Sequence, residues 1–216
     1  MTNPNSLRLV EQCVHKGLIY LAETLQYPWP TNGELAENNI ALHLARSFAE
    51  KGFQVWAEVP LDKENRRLDF LARNYAESIA VALEFKRSID TPQGNYEDLK
   101  RLVAIHKNGL SNDMLDFGEQ SGHRIYGIVA FLFENEFAVW WWDPKGCKQE
   151  YMPDGKSADL YTKIGMALAA TKVRYVVPLC EHFRSPKYRF SRAAYALYDE
   201  ASIDKLKEAL GGPSDA

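Results

Sequence analysis

Four charged residues stand out for the chemistry they could do together: Glu37, Asp69, Glu84 and Lys86. The three carboxylates are hard oxygen donors of the kind that Mg²⁺ or Mn²⁺ prefers. Carboxylates brought close together repel and desolvate poorly unless a cation joins them. A lysine beside such a cation can hold a water and offset phosphate charge. Together these groups offer a way to hydrolyse a phosphodiester. They are spread over about fifty positions, so the chemistry exists only if the fold gathers them.

The elements that must do the gathering can be read from apolar spacing. Leu7, Val10, Val14, Leu18 and Leu21 recur at helical intervals and predict a helix over 6–26. Tyr27-Pro28-Trp29-Pro30 breaks it. A second helix is expected over 33–51, with Thr31 and Glu34 as a capping box and Gly52 as its stop. In that helix Glu37 lies in line with Ile40, Ala41, Leu44 and Phe48, the core-facing stripe.

Strands are expected over 53–59, 66–73 and 78–86, then a helix over 95–107. Residues 124–133 and 137–142 predict a hairpin. A helix over 157–170, a strand over 172–177 and a helix over 191–210 complete the order. Along the third strand Ile79, Val81, Leu83 and Phe85 share one face. Ala80, Ala82, Glu84 and Lys86 share the other, so this strand is buried for most of its length and emerges at a polar end. On the second strand, alternation sets Leu68 and Phe70 opposite Arg67 and Asp69.

The fold class expected is α/β: a central mixed sheet flanked by helices. The chain divides into a helical extension over 1–30, a core over 31–142 and a C-terminal helix and strand extension over 143–216, packed as one compact domain. Its 216 residues and 46% hydrophobic content suit a buried core and exclude wholesale disorder. A net charge of −3 means that any nucleic-acid contact must use a local basic strip. Cys13, Cys147 and Cys180 have neither the number nor the spacing of a disulfide framework or zinc site. Residues 1–10 lack an apolar signal region, and no apolar run is long enough to span a bilayer, so a cytoplasmic protein without a membrane partner is expected.

The ordered set Glu37, Asp69, Glu84-Phe85-Lys86 resembles the PD-(D/E)XK, or restriction-endonuclease-like, nuclease superfamily over roughly residues 33–133. It departs from the motif at its proline, where this chain has Leu68. The resemblance implies that Asp69 and Glu84 bind Mg²⁺ or Mn²⁺, that Glu37 completes the metal site, and that Lys86 positions the attacking water. It implies a nucleic-acid substrate, DNA ahead of RNA, and products with 5′-phosphate and 3′-hydroxyl ends. Arg67, Arg87, Lys100 and Arg101 are candidate phosphate contacts.

Ordinary explanations stand beside these. A Glu-x-Lys triplet occurs about once by chance in a chain this long. Asp69 could simply pair with Arg67, and Glu37 could answer the helix dipole. Lys100 and Arg101 could be a solvated helix face, and Trp140, Trp141 and Trp142 could pack on a strand instead of stacking on bases. A non-catalytic binding or regulatory subunit on the same fold, working as a homodimer or with a protein partner, is the rival to the nuclease.

Overall fold

A computed structural model describes residues 4–24, 37–60, 67–87, 92–108, 123–133, 158–171, 173–176 and 192–211 of the protein. The first helix, α1 (Pro4–Thr24), buries Val10, Cys13, Val14, Leu18 and Leu21; of the predicted stripe Leu7 is only partly buried, and Cys13 is an addition. Helix α2 (Glu37–Ala49) buries Leu44 and Phe48, and the turn after it closes at Gly52, whose φ of +80° suits a residue without Cβ. Thr31 and Glu34, the expected capping box, lie outside the described residues.

The two helices cross closely at Gly17. A Cβ there would stand 2.8 Å from Leu44 Cδ2 and 2.9 Å from Ser47 Oγ, while the Ser47 hydroxyl donates to the Cys13 carbonyl at 2.7 Å. Gly17→Ala therefore overpacks the crossing by more than its gain in helix propensity returns. A net loss of about 1–2 kcal/mol in urea denaturation is expected; a stabilised variant would mean that the crossing is loose.

Among the described residues six strands form one mixed sheet: β1 (Gln54–Pro60), β2 (Arg67–Asn74), β3 (Ile79–Arg87), β4 (Arg124–Phe133), β5 (Val173–Val176) and β6 (Arg192–Tyr198). Their spatial order is β1-β2-β3-β4-β6-β5. All neighbours are antiparallel except β3 and β4, whose parallel pairing needs the crossover that contains helix α3 (Pro92–Asn108). Helices α4 (Ala158–Ala169) and α5 (Glu200–Ala209) are the other helices among the described residues.

Each face of the sheet has its own core. Val81, Leu83 and Phe85 join the α1 and α2 side chains on one face. Ala80 and Ala82 join Leu99, Leu102, Ile164, Leu168, Ile203 and Leu206 on the other. The predicted alternation of β3 is thus realised, and its alanines leave room for α3. The α/β class holds, and the segment over 143–216 contributes β5 and β6 to the same sheet. Among the described residues no helix is long and apolar enough to cross a membrane.

One element departs from expectation. The helix predicted over 191–210 is a strand followed by a helix. The run Ala193-Ala194-Tyr195-Ala196-Leu197 has helical propensity, but it lies between β4 and β5 and pairs with both. Tertiary pairing outweighs so weak a local preference. Asp199 marks the break: its carboxylate accepts from the Ser202 N–H, and the Ser202 hydroxyl accepts from the Asp199 N–H. The strand predicted over 137–142, with Trp140, Trp141 and Trp142, lies outside the described residues.

Candidate active site

Strands β2 and β3 are joined by the turn over 75–78, which Asn74 closes by accepting the Glu77 N–H at 3.0 Å. The register runs from Asn74↔Ile79 to Phe70↔Leu83, and one pair further on it brings Asp69 opposite Glu84. There the backbone ladder between β2 and β3 ends. The Phe85 N–H donates to Asp69 Oδ2 at 2.6 Å, so a side-chain carboxylate takes the place of a backbone carbonyl. Beyond this point β2 stays paired with β1 alone, through Val59↔Leu68 and Pro60↔Arg67.

The alternation expected along β2 fails at the same place. Leu68 and Phe70 do not share a face: Phe70 packs with α2, whereas Leu68 belongs to the core on the α3 side. On β1, Val55 packs on the first face and Val59 on the second. Between them Glu58 has a φ of +53°, a left-handed conformation that turns the ribbon over. The twist brings Asp69 edge-on to β3, aimed at the Phe85 N–H. It also adds a carboxylate that sequence reading missed, since Glu58 lines a small cavity with Ala41, Leu44, Asp69, Phe70 and Phe85.

Glu84 has no exposed surface. Its Oε1 accepts from Arg101 Nε at 2.7 Å, while its Oε2 is enclosed and has no hydrogen-bond partner among the described residues. Burial pushes its carboxyl well above the usual range, the Arg101 hydrogen bond opposes this, and the charges of Asp69 and Asp98 push it further up. Arg101, 23% exposed, reaches across from α3, and its Nη2 donates to Asp98 Oδ1. The guanidinium thus spans two buried carboxylates.

Arg101 is therefore not the open phosphate contact that the sequence suggested. An i to i+3 pair on α3 and a strand carboxylate below it hold the side chain against the sheet. Lys100 faces solvent, pairs with Glu97 at 3.3 Å and sits over the Tyr96 ring at 5.3 Å. Arg67 faces solvent and approaches Glu58 at 3.8 Å, not Asp69. Tyr96 ties α3 to α5 by donating its hydroxyl to the Leu210 carbonyl at 2.9 Å.

Glu37 is the first residue of α2, one turn before Ala41. Lys86 and Arg87 end β3, paired through the backbone with Phe131 and Leu132 of β4. The side chains of Glu37, Lys86 and Arg87 lie outside the described residues. Among the described residues no group of three or more His, Cys, Asp or Glu side chains is arranged to hold a metal. Comparisons of the chain with protein-family models, curated proteins and solved structures return no match.

Proposed function

We propose that the protein is a Mg²⁺- or Mn²⁺-dependent nuclease of the restriction-endonuclease-like kind, acting on DNA ahead of RNA. The observation that carries this reading is Glu84: a fully buried carboxylate with an oxygen that has no partner among the described residues, set opposite Asp69 where β2 leaves β3. Burying an ionisable oxygen without a donor is costly, and a hard cation is the ligand that such an oxygen suits. The sequence of α2, three antiparallel strands, α3 and a parallel β4 supports the reading, because it is the order that the resemblance implies.

Asp69 and Glu84, with Glu37 as a third carboxylate, would hold the cation. When bound, the cation polarises the scissile phosphate and lowers the pKa of a coordinated water. Lys86 supplies the ammonium that orients the attacking water and offsets phosphate charge. Arg101 holds the Glu84 carboxyl in place and opposes the upward push of burial on it, which makes it a positioning residue. Arg67 and Lys100 contact flanking phosphates, since exposed pairs such as theirs are weak enough to exchange for a phosphate. Plasmid and oligonucleotide cleavage in Mg²⁺ or Mn²⁺ is the test. Cleavage is expected to fall to background in EDTA and to return with excess metal; cleavage that survives EDTA would sink the proposal.

The Arg101–Glu84 ion pair also favours a second reading, in which the cation position is permanently filled by a guanidinium. The protein would then be a cytoplasmic, non-catalytic subunit that docks a protein, a second copy or nucleic acid. Calorimetric titration with Mn²⁺ separates the two. Binding that disappears in Glu84→Gln supports the nuclease, and no heat at millimolar Mn²⁺ supports the subunit.

A further inference from the structure

Four residues along β2 from Asp69, the strand carries a second unusual charge. Arg73 is 6% exposed, yet among the described residues no carboxylate lies within ion-pair reach of it. A buried arginine ordinarily has such a partner, because an unpaired charge is costly to desolvate. Here the partner is His123, just before β4. Arg73 Nε donates to His123 Nε2 at 3.2 Å, and Nη2 lies 3.4 Å from Nδ1 of the same ring.

This pairing is chemically mismatched. The Nε and Nη2 edge of a guanidinium offers two parallel donors, the fork that a carboxylate or phosphate accepts with two oxygens. A neutral imidazole has a single acceptor lone pair, and a protonated one has none. His123 can therefore satisfy at most one of the two donors and none of the charge.

The third member of the cluster is Tyr75. Its ring lies 4.5 Å from the Arg73 guanidinium carbon and meets the His123 ring edge-on at 5.7 Å. It is 54% exposed, a large aromatic surface left open beside a cation. An open ring next to a phosphate receptor suits a planar heterocycle joined to that phosphate.

We infer that Arg73, with Tyr75 beside it, is a binding site for a phosphate monoester carrying a stacked ring, a nucleoside 5′-monophosphate in chemical class. His123 is a placeholder on the fork, displaced when two phosphate oxygens take both donors. The site uses no metal and none of Asp69, Glu84 or Arg101, so it stands whether or not the protein is a nuclease.

Titration calorimetry in EDTA tests it, with inorganic phosphate, adenosine 5′-monophosphate and adenosine as probes. The monophosphate is expected to bind more tightly than phosphate, and adenosine not at all. Arg73→Gln should weaken both phosphate probes by about tenfold or more. Tyr75→Ala should remove the advantage of the monophosphate and leave inorganic phosphate unchanged. His123→Ala should tighten phosphate about threefold by vacating the fork, an outcome that a purely structural His123 would not give. If Arg73→Gln does not fold, the other two variants decide. Absence of binding at millimolar phosphate or monophosphate, adenosine binding as well as its monophosphate, or no gain in His123→Ala would each overturn the inference.

Discussion

Replacing Arg101 by methionine should cost about 3–5 kcal/mol of folding stability at neutral pH, the range for breaking a buried ion pair from one side. The guanidinium bridges Glu84 and Asp98, two buried carboxylates that no longer share a cation once it is gone. The deficit should depend on pH with a definite sign. Glu84 is already pushed above the usual carboxylate range by burial, with Arg101 pulling the other way. Without Arg101 its folded pKa rises further above the unfolded value of about 4.3. Below that value Glu84 is neutral in both states and adds no penalty. As pH rises toward the folded value the unfolded chain releases the proton and the folded one keeps it, so stability falls.

Urea denaturation of Arg101→Met at pH 5 and pH 8 reads this directly. The gap from wild type should widen at the higher pH. Adding Glu84→Gln should narrow it again, because the amide needs no counter-charge. Arg101→Lys should recover only part of the loss, since an ammonium cannot reproduce the fork that reaches both acids. A methionine variant as stable as wild type at both pH values would mean that the pair is not formed in solution.

Why the two faces of β3 could be read in advance and those of β2 could not, although both strands were legible, is a matter of local against distant causes. Ile79 to Leu83 alternate bulky apolar residues with alanine, and the two faces of the sheet separate them as the pattern requires. Asp69 follows the same rule on paper, yet its orientation is set by Glu58 on a neighbouring strand, whose left-handed backbone no residue type announces. Arg101 looked like a solvated helix face because Glu84 and Asp98 approach it through the fold and not through a sequence pattern. The strand β6 was hidden by its alanines, although Asp199 and Ser202 spell out the cap that ends it. The Arg73 and His123 pair, fifty residues apart, left no trace in the sequence at all.

Asp69 and Glu84 offer the sharpest separation of chemistry from architecture. In Asp69→Asn the amide oxygen can still accept the Phe85 N–H that Asp69 Oδ2 now takes at 2.6 Å. The strand junction should therefore hold, with stability within about 1 kcal/mol of wild type. Asp69→Ala has no acceptor to offer and leaves a backbone donor stranded between β2 and β3, at a cost of about 1–3 kcal/mol. If the two acids are cation ligands, however, both variants should lose turnover alike, on the order of 10³-fold, because the amide no longer carries the charge that a hard cation needs. Glu84→Gln should match them in turnover. Cleavage rates measured beside urea denaturation curves decide the matter. Turnover that follows stability, high in the asparagine variant and low in the alanine one, would make Asp69 a strand-joining residue and take the metal site away from this junction.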